Sequence, residues 1–305
     1  MYLFITDNPE QLKTYKDTSV FMMEELIAAG NEVFCCEPKD LFIKNNTFYA
    51  KVSIVEHANV EQLILGAHQE LSCIDTEAVF MRKDPPIDAS YLNCLYMLNM
   101  MKRLGIRVIN DPEALLCFNE KFLAFEFHEY MPQTIVTSDI NQLHAFQAQH
   151  PVMILKPLNA MGGESIHKFE DITEKEEAIF MQVLKDHGGL VMLQEFLPDI
   201  FDGDYRILII NGKPFPKTIA RIPKEGSFKG NLAAGGTAVG KELTAFQEEV
   251  GNKIGKFLMQ HGINFCGIDM IGEYLTEVNI TSPTGAREIF EFGGENPIKA
   301  LLENL

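Results

Sequence analysis

The sequence is short of basic residues, and those it has are not clustered. Lys and Arg number 26 against 43 Asp and Glu, which gives the 305-residue chain a formal net charge of -17. A field of this sign repels nucleic acid and anionic membranes unless a local basic patch overrides it. We therefore expect no nucleic-acid and no membrane partner, and any bound anion must be held by a few individually placed cations.

Signals for export and for membrane insertion are also missing. The first residues, MYLFITDNPEQ, lack a charged segment followed by a long apolar one, and no apolar run reaches 18 residues. The six cysteines form no CxxC pair, which is typical of reduced thiols. These absences predict a cytoplasmic protein.

Several common catalytic motifs do not occur. There is no GxGxxG, no GxSxG and no HExxH, and the nearest match to a Walker A motif, GNKIGKF at 251–257, has the wrong spacing. A dinucleotide fold of the usual type, a P-loop, a serine hydrolase and a zinc protease are therefore all disfavoured.

The sequence pattern does predict two kinds of sheet. In residues 1–118, short apolar strands alternate with capped helices, which favours a parallel α/β unit. After residue 119 the strands fall in hairpin-like pairs, which favours α+β structure with antiparallel sheet. The Gly-rich segment within 224–238 is predicted to be a mobile loop.

Three polar residues near a predicted turn are candidate metal ligands. Glu277 and Asn279 alternate along one strand and so share a face, and Asp269 on the preceding strand can project onto it. Two carboxylates and an amide oxygen are a hard donor set that suits Mg²⁺. The alternative is a polar, solvent-facing side of the sheet.

Other residues are candidates for binding phosphate. Lys121 follows the helix cap Asn119, Lys156 interrupts an apolar strand, and Gly162-Gly163 could bring backbone N–H groups close to a ligand. Arg206 and Arg221 could make bidentate contacts with carboxylates or phosphoryl oxygens. An edge strand, an ordinary turn and surface salt bridges would explain the same residues.

Eight segments occur in a familiar order. They are MRKDPP (81–86), NEK (119–121), ILKPL with MGG (154–163), QEFLP (194–198), DGDYR (202–206), ARIP (220–223), GNLAAGG (230–236) and GIDMIG with LTEVNITSPTG (267–285). Together they resemble the bacterial glutathione synthetases of the ATP-grasp superfamily. The resemblance implies an ATP-grasp fold with an N-terminal α/β domain (1–118), a central lid domain (119–198) and a C-terminal antiparallel-sheet domain (199–305).

The resemblance also implies an activity and its ligands. The enzyme would join γ-L-glutamyl-L-cysteine to glycine through an acyl phosphate and release ADP and phosphate. ATP and two Mg²⁺ ions, or Mn²⁺ in their place, would be required, and the protein would be a homo-oligomer, either a tetramer or a dimer.

Roles for individual residues follow from the same resemblance. Arg206 and Arg221 would be catalytic, and Asp269, Glu277 and Asn279 would hold the metal. The nucleotide would be bound by Lys121, Lys156, Gly162, Gly163, Gln194, Glu195, Phe196, Leu197, Asp204 and Asn231. The substrates would be bound by Lys16, Ser19, Arg82, Ser282, Thr284 and Arg287.

Two other functions fit the sequence. Gly285 stands where the family usually has a cysteine, so a related ATP-grasp ligase for another amine or another γ-glutamyl donor is one alternative. The other is a non-catalytic nucleotide-binding protein that keeps the fold.

Overall fold

Three β-sheets organise the chain. The computed structural model describes residues 1–160, 162–232 and 235–303, and the strands of this part form sheets of seven, four and six strands. The predicted MGG segment and the predicted loop 224–238 each extend partly outside the described residues, at 161 and at 233–234 respectively.

The first sheet is mixed. Its strands are β1 (Tyr2–Ile5), β2 (Val33–Cys36), β3 (Leu41–Lys44), β4 (Thr47–Ala58), β5 (Leu63–Ser72), β6 (Ala78–Met81) and β7 (Val108–Ile109). Strands β2, β1, β6 and β7 are parallel neighbours, as the alternating pattern predicts. Strands β3, β4 and β5 extend the sheet with antiparallel pairs that the sequence analysis did not predict.

Helices cover this sheet. They are α1 (Thr18–Ala28), α2 (Ala89–Arg103) and α3 (Pro112–Cys117). Asp17 begins α1 by accepting hydrogen bonds from the N–H groups of Ser19 and Val20, and Asp88 begins α2 in the same way through Tyr91. These two caps fix where each helix begins.

The second sheet is antiparallel and smaller. Its order is β10 (His167–Phe169), β9 (Met153–Pro157), β11 (Val191–Glu195) and β8 (Thr134–Thr137), and it packs on helices α5 (Ile140–Gln149) and α6 (Glu174–Asp186). The segment before this sheet is only partly helical. Helix α4 spans only Glu120–Leu123, and the 3₁₀ turns that follow are interrupted at Phe127, whose φ of -126° and ψ of 37° are not helical.

The third sheet is also antiparallel. It is formed by β12 (Asp204–Ile210), β13 (Lys213–Pro214), β14 (Lys217–Ile222), β15 (Thr237–Glu242), β16 (Phe265–Ile271) and β17 (Tyr274–Asn279). Its main order is β15-β14-β12-β16-β17, with the short β13 paired to β12. Helices α7 (Ala245–Gln260), α8 (Ala286–Gly293) and α9 (Pro297–Leu302) accompany it.

The first and third sheets share a core. One apolar cluster runs from Leu3 and Val79 in the first sheet to Ile207 and Ile268 in the third. Polar contacts reinforce it, because the buried Asn110 amide donates to the carbonyl oxygens of Phe265 and Ile280. The third sheet is therefore held firmly beside the N-terminal unit.

The cysteines and helices agree with the sequence analysis. Within the described residues no disulfide forms and five of the six cysteines are buried. Burial raises the pKa of Cys35, Cys73 and Cys94 to about 12, so these thiols stay protonated. None of the described helices combines the length and the apolar character that crossing a membrane would require.

Candidate active site

A stripe of charged side chains crosses the third sheet. Asp204 lies opposite Arg221 across β12 and β14, Arg206 lies opposite Asp269 across β12 and β16, and Asp269 lies opposite Glu277 across β16 and β17. Residues two apart on a strand share a face, so these side chains lie on one side of the sheet. Basic groups face acidic groups in the first two pairs, and two acidic groups face each other in the third.

Asp269 is the centre of the stripe. Its carboxylate accepts hydrogen bonds from Arg206 Nε at 2.5 Å and Arg206 Nη2 at 2.9 Å, and Arg221 Nη2 lies 2.9 Å from Oδ2. Burial raises the pKa of Asp269, but the two guanidinium groups outweigh it and lower that pKa to about 2. Asp269 is therefore an anion at any physiological pH.

Arg221 makes a second ion pair. Its Nη2 donates to Asp204 Oδ2 at 2.5 Å, while Asp204 Oδ1 is buried and makes no hydrogen bond. Burial raises the pKa of Asp204 despite the neighbouring guanidinium. The two arginines and two aspartates thus form one ion-paired cluster on this face of the sheet.

Lys121 reaches the other end of the stripe. Its Nζ donates to Glu277 Oε1 at 3.0 Å and to the carbonyl oxygen of Ala160 at 2.9 Å. Burial lowers its pKa, but the negative charge of Glu277 outweighs burial, so the pKa is raised and the ammonium is retained. The cap Asn119, which accepts from the Lys121 N–H, fixes the start of α4 and therefore the position of this lysine.

Lys156 approaches the site from the second sheet. Its Nζ donates to Gln194 Oε1 at 2.6 Å, and Gln194 in turn donates to Thr134. Burial lowers the pKa of Lys156 to about 8. Lys156 lies in β9, which pairs with β10 on one side and β11 on the other, so the edge-strand explanation does not apply.

A first cavity lies between the second and third sheets. All ten residues predicted to bind nucleotide line it, together with apolar side chains of Ile154, Ile200 and Ile271. The ten are Lys121, Lys156, Gly162, Gly163, Gln194, Glu195, Phe196, Leu197, Asp204 and Asn231. The cavity combines an apolar slot, three lysines (Lys121, Lys156 and Lys229) and backbone N–H groups, which is the chemistry that a nucleoside phosphate needs.

A second cavity adjoins it on the side of the N-terminal unit. Lys16, Arg82, Ser282 and Thr284 line this cavity, as do Arg206, Arg221 and Asn279. Gly162, Asn231 and Glu277 line both cavities, so the two form one cleft that divides at the charged stripe. The cleft therefore has room for two ligands that meet at Glu277.

Two predicted substrate residues lie behind the cleft wall. Ser19 Oγ accepts from Arg82 Nε at 3.1 Å. Arg287 Nη2 donates to Glu24 at 2.7 Å, and its guanidinium lies 4.5 Å from the ring centroid of Phe21. Neither residue lines the two cavities, so the structure places them as supports for Arg82 and for the contact between α8 and α1.

Comparison with known proteins identifies the family. Residues 1–115 match the N-terminal domain of prokaryotic glutathione synthetase, and residues 120–294 match its ATP-grasp domain. The chain is 37% identical to the glutathione synthetase of Nitrosomonas europaea over 99% of its length and 96% of that protein. The glutathione synthetase of Shewanella oneidensis is also 37% identical, over 93% of this chain and 91% of that protein.

The chain belongs to the prokaryotic glutathione synthetase family.

Solved structures agree on the fold of this glutathione synthetase family member. The D-cycloserine synthetase DcsG aligns with a TM-score of 0.69 at 13% identity, over 99% of each chain. The ATP-grasp ligase PsnB aligns with a TM-score of 0.63 at 16% identity, over 99% of this chain and 98% of that one. The predicted ATP-grasp fold is confirmed.

The residues of the β16–β17 hairpin fit a hard cation. Asn279 lies opposite Gly267, two residues along from the Asp269–Glu277 pair, and its Oδ1 is buried without a hydrogen bond. Among the described residues, no three His, Cys, Asp or Glu side chains come together as metal donors, so a cation site in this hairpin would need Asn279 as its third donor. An unpaired amide oxygen on the same strand as one carboxylate and across from a second offers the type of oxygen donor that suits Mg²⁺, although both Asp269 oxygens are bound by Arg206 and Arg221 here.

Several acidic residues of this glutathione synthetase cleft were not predicted, and Glu120 and Glu288 are two of them. Glu120 Oε1 accepts from the Ile280 N–H, the Thr281 N–H and the Thr281 hydroxyl, and burial with the nearby Glu277 charge raises its pKa to about 7. Glu288 lines the second cavity from α8. Both lie beside predicted residues, within NEK and just after SPTGAR, and that proximity was the available signal.

Proposed function

We propose that this chain joins γ-L-glutamyl-L-cysteine to glycine and forms glutathione while ATP is cleaved to ADP and phosphate. One observation carries the proposal beyond family membership. The cavity suited to nucleotide and the cavity beside the N-terminal unit meet at Glu277, where three buried cations, Lys121, Arg206 and Arg221, contact the two acidic residues Glu277 and Asp269. A carboxylate and a terminal phosphate can be brought together there.

The chemistry requires such a meeting point. A carboxylate resists attack by an amine, because an oxide would have to leave. Transfer of the γ-phosphoryl group of ATP to the cysteinyl carboxylate gives an acyl phosphate, from which phosphate leaves readily when glycine attacks. Alignment and neutralisation of charge are the main demands of the first step.

The first cavity would hold ATP. Lys121 and Lys156 would contact phosphate oxygens, with Gly162, Gly163 and Asn231 closing over them. The segment 194–197 would frame the adenine, largely through its backbone and the Phe196 and Leu197 side chains. Asp204 would complete this wall.

The charged stripe would carry out the transfer. Arg206 and Arg221 would move part of their hydrogen bonding from Asp269 to the transferring phosphoryl group and the acyl oxygen. Donors of this kind each accelerate a reaction by roughly 10²–10³. Asp269, Glu277 and Asn279 would hold two Mg²⁺ ions, or Mn²⁺, which supply positive charge to the bridging phosphate oxygens.

The second cavity would hold the peptide and the amino acid. Arg82, Lys16, Ser282 and Thr284 would bind them directly. Ser19 would act through Arg82, and Arg287 through the packing of α8 on α1. The loop at 224–238 would close over the cleft and keep water away from the acyl phosphate.

A product assay tests the proposed function. With ATP, Mg²⁺ and γ-glutamylcysteine present, adding glycine should start ADP release and yield one tripeptide per ADP. ADP release that does not depend on glycine would reject the proposal.

A related ligase with another amine is the second candidate, because Gly285 leaves the second cavity without a side chain at that position. A panel of glycine, alanine and β-alanine at fixed dipeptide separates the two functions. We expect glycine to have the highest kcat/KM, and a higher value for alanine or β-alanine would favour the alternative.

The remaining proposals concern organisation. We propose that 1–118, 119–198 and 199–305 are the three domains, that the protein works in the cytoplasm, and that it assembles as a tetramer or dimer. Sedimentation equilibrium measures the assembly, with a mass of two or four times 34.4 kDa expected and a monomer mass contradicting it.

A further inference from the structure

Glu288 is a carboxylate of the second cavity that the proposed chemistry does not yet use. It occupies the first turn of α8 and lines the cavity. Its Oε2 is buried and has no hydrogen-bond partner, while its own backbone N–H donates to the carboxylate. A buried acceptor left unpaired is unfavourable, so such an oxygen indicates a missing ligand.

The other acidic residues around this cavity already have partners. Asp7 is paired with Lys83 at 2.6 Å, Asp17 caps α1, and Glu120 accepts three hydrogen bonds from residues 280 and 281. Asp84 lies beside the positive charge of Arg82, and Glu277 binds Lys121. Among the described residues lining this cavity, Glu288 is the acid that keeps a buried oxygen without a hydrogen bond.

The position of Glu288 along α8 indicates where its ligand would lie. Glu288 is three residues after the N-cap, Gly285, and residues at these two positions lie close together at the start of a helix. A Cβ added to Gly285 would lie 3.2 Å from Arg206 Cγ, so this end of α8 faces Arg206. The Glu288 carboxylate therefore belongs to the end of the cavity where the acyl group would be activated.

The charge environment suits a cationic ligand. Burial raises the pKa of Glu288, and the neighbouring Glu291 adds to this, while Lys16 and Arg206 lower it only in part. A positively charged ligand would offset the cost of keeping the buried carboxylate ionised. The reaction has such a ligand, because a free amino acid arrives with its amine protonated.

We propose that Glu288 binds the ammonium group of the incoming amino acid, glycine in the proposed reaction, and holds its nitrogen beside the activated carboxyl group. This inference rests on the proposed function and deepens it. The contact is a charge-assisted hydrogen bond between the Glu288 carboxylate and a primary ammonium. This contact gives α8 a direct role in selecting an amino acid as the acceptor of the acyl group.

Steady-state kinetics of Glu288→Gln test the proposal. The variant keeps the shape of the side chain and removes its charge, so we expect KM for glycine to rise about 10- to 100-fold. KM for ATP and for γ-glutamylcysteine should stay within twofold. Glu288→Asp keeps the charge but shortens the side chain by one methylene group. Its KM for glycine should lie between that of the unmodified protein and that of Glu288→Gln.

Glu291→Gln is the matched control. Glu291 lies on the same helix, is exposed, and does not line the cavity, so its loss removes the same charge and should leave all three KM values unchanged. Thermal melts of each variant show whether it is folded. If Glu288→Gln does not fold, the KM for glycine of Glu288→Asp alone tests the proposal.

Each remaining outcome has a distinct meaning. An unchanged KM for glycine in a folded Glu288 variant overturns the inference. A rise in KM for γ-glutamylcysteine instead of glycine would assign Glu288 to the glutamyl amine and also overturn it. If the unmodified protein shows no glycine-dependent ADP release, the proposed function itself fails, which is a separate result.

Discussion

Lys156 is the residue whose charge responds most directly to pH in the nucleotide cavity. Burial lowers its pKa to about 8, and its nearest partner, Gln194, is neutral. The cationic form that attracts phosphate is therefore present at pH 7 and is lost as the pH rises through about 8. We expect the affinity for ATP to fall about tenfold between pH 7 and pH 9, as measured by calorimetry.

Lys156→Arg provides the control for this prediction. A guanidinium stays charged throughout the range, so the affinity of this variant should change by less than about twofold between the same two pH values. If the ATP affinities of the unmodified protein and of Lys156→Arg fell equally with pH, a group other than Lys156 would be responsible for the pH dependence.

Substitutions of Asp269 and of Asn279 are predicted to change the free energy of unfolding by different amounts. Asp269→Asn leaves the buried guanidinium groups of Arg206 and Arg221 without their shared anion, which should cost about 3–5 kcal/mol in free energy of unfolding. Asn279→Ala removes an amide whose Oδ1 makes no hydrogen bond, so the change should stay below about 1 kcal/mol. Urea unfolding without metal measures both.

Both substitutions should abolish magnesium-dependent ADP release, because each removes a proposed ligand. Equal stability losses in the two variants would contradict the asymmetry that the structure shows.

Among single residues, the polar side chains of the site could be recognised in the sequence because they interrupt apolar strands. Lys156 within MILKP and the Asp269, Glu277 and Asn279 set are conspicuous for that reason, and the structure places them around one cleft. Glu288 was missed because an acid in the first turn of a helix is ordinary in sequence. Its missing hydrogen-bond partner can be seen only in three dimensions.

The β16–β17 hairpin is the element that aligns the acidic and basic groups. Gly267 lies opposite Asn279, and a Cβ there would come within 2.9 Å of Arg206 Cδ and 3.2 Å of Pro283 Cβ. Gly267→Ala should therefore displace Arg206 and lower kcat at least tenfold, with KM for ATP within about twofold. Steady-state assays measure both constants.

Gly105→Ala is the comparison for that prediction. Gly105 follows α2 with a φ of +90° and has no atom within 4 Å of an added Cβ, so the change costs about 1 kcal/mol in stability through backbone strain alone. Its kcat should remain that of the unmodified protein. A similar loss of kcat in both variants would mean that Gly267 acts only through stability.

Strands and helices with a clear periodicity of apolar residues could be predicted from the sequence, and the others could not. Strands β1, β2 and β6 are buried along their whole length, and the caps of α1 and α2 are explicit in the sequence. Strand β5 is mostly exposed, so its sequence, LILGAHQELS, gives little apolar signal. The break at Phe127 comes from tertiary packing, which local propensity does not register.

At the scale of the whole molecule, Asn110 connects the N-terminal unit with the third sheet. Its amide donates to Phe265 O at 2.6 Å and Ile280 O at 2.7 Å, and it accepts from the N–H groups of Asn264 and Phe265 at 3.0 Å. Asn110→Ala should lower the free energy of unfolding by about 3 kcal/mol or more, because buried backbone groups lose their partners. Denaturant titration measures this loss.

Asn252→Ala is the matched control for Asn110. Asn252 is exposed and donates one hydrogen bond within α7, so its loss should change stability by less than about 0.5 kcal/mol. If the two variants were equally stable, the contact between the first and third sheets would be weaker than these hydrogen bonds imply.

The order of motifs indicated the fold family, but the way the sheets meet was not predictable. Nothing adjacent to Asn110 in sequence identifies Phe265 and Ile280 as its partners, since they lie 155 and 170 residues away. The meeting of two cavities at Glu277 depends on contacts of the same long range.

Transfer of ¹⁸O from the substrate to phosphate tests the central claim most directly, namely that the cleft activates a peptide carboxylate by phosphorylation. γ-Glutamylcysteine labelled in the cysteinyl carboxylate is turned over with ATP and glycine, and the phosphate is analysed by mass spectrometry. An acyl phosphate requires that each phosphate released carries one oxygen atom from the labelled carboxylate. Phosphate formed in step with glutathione but free of the label would contradict the account.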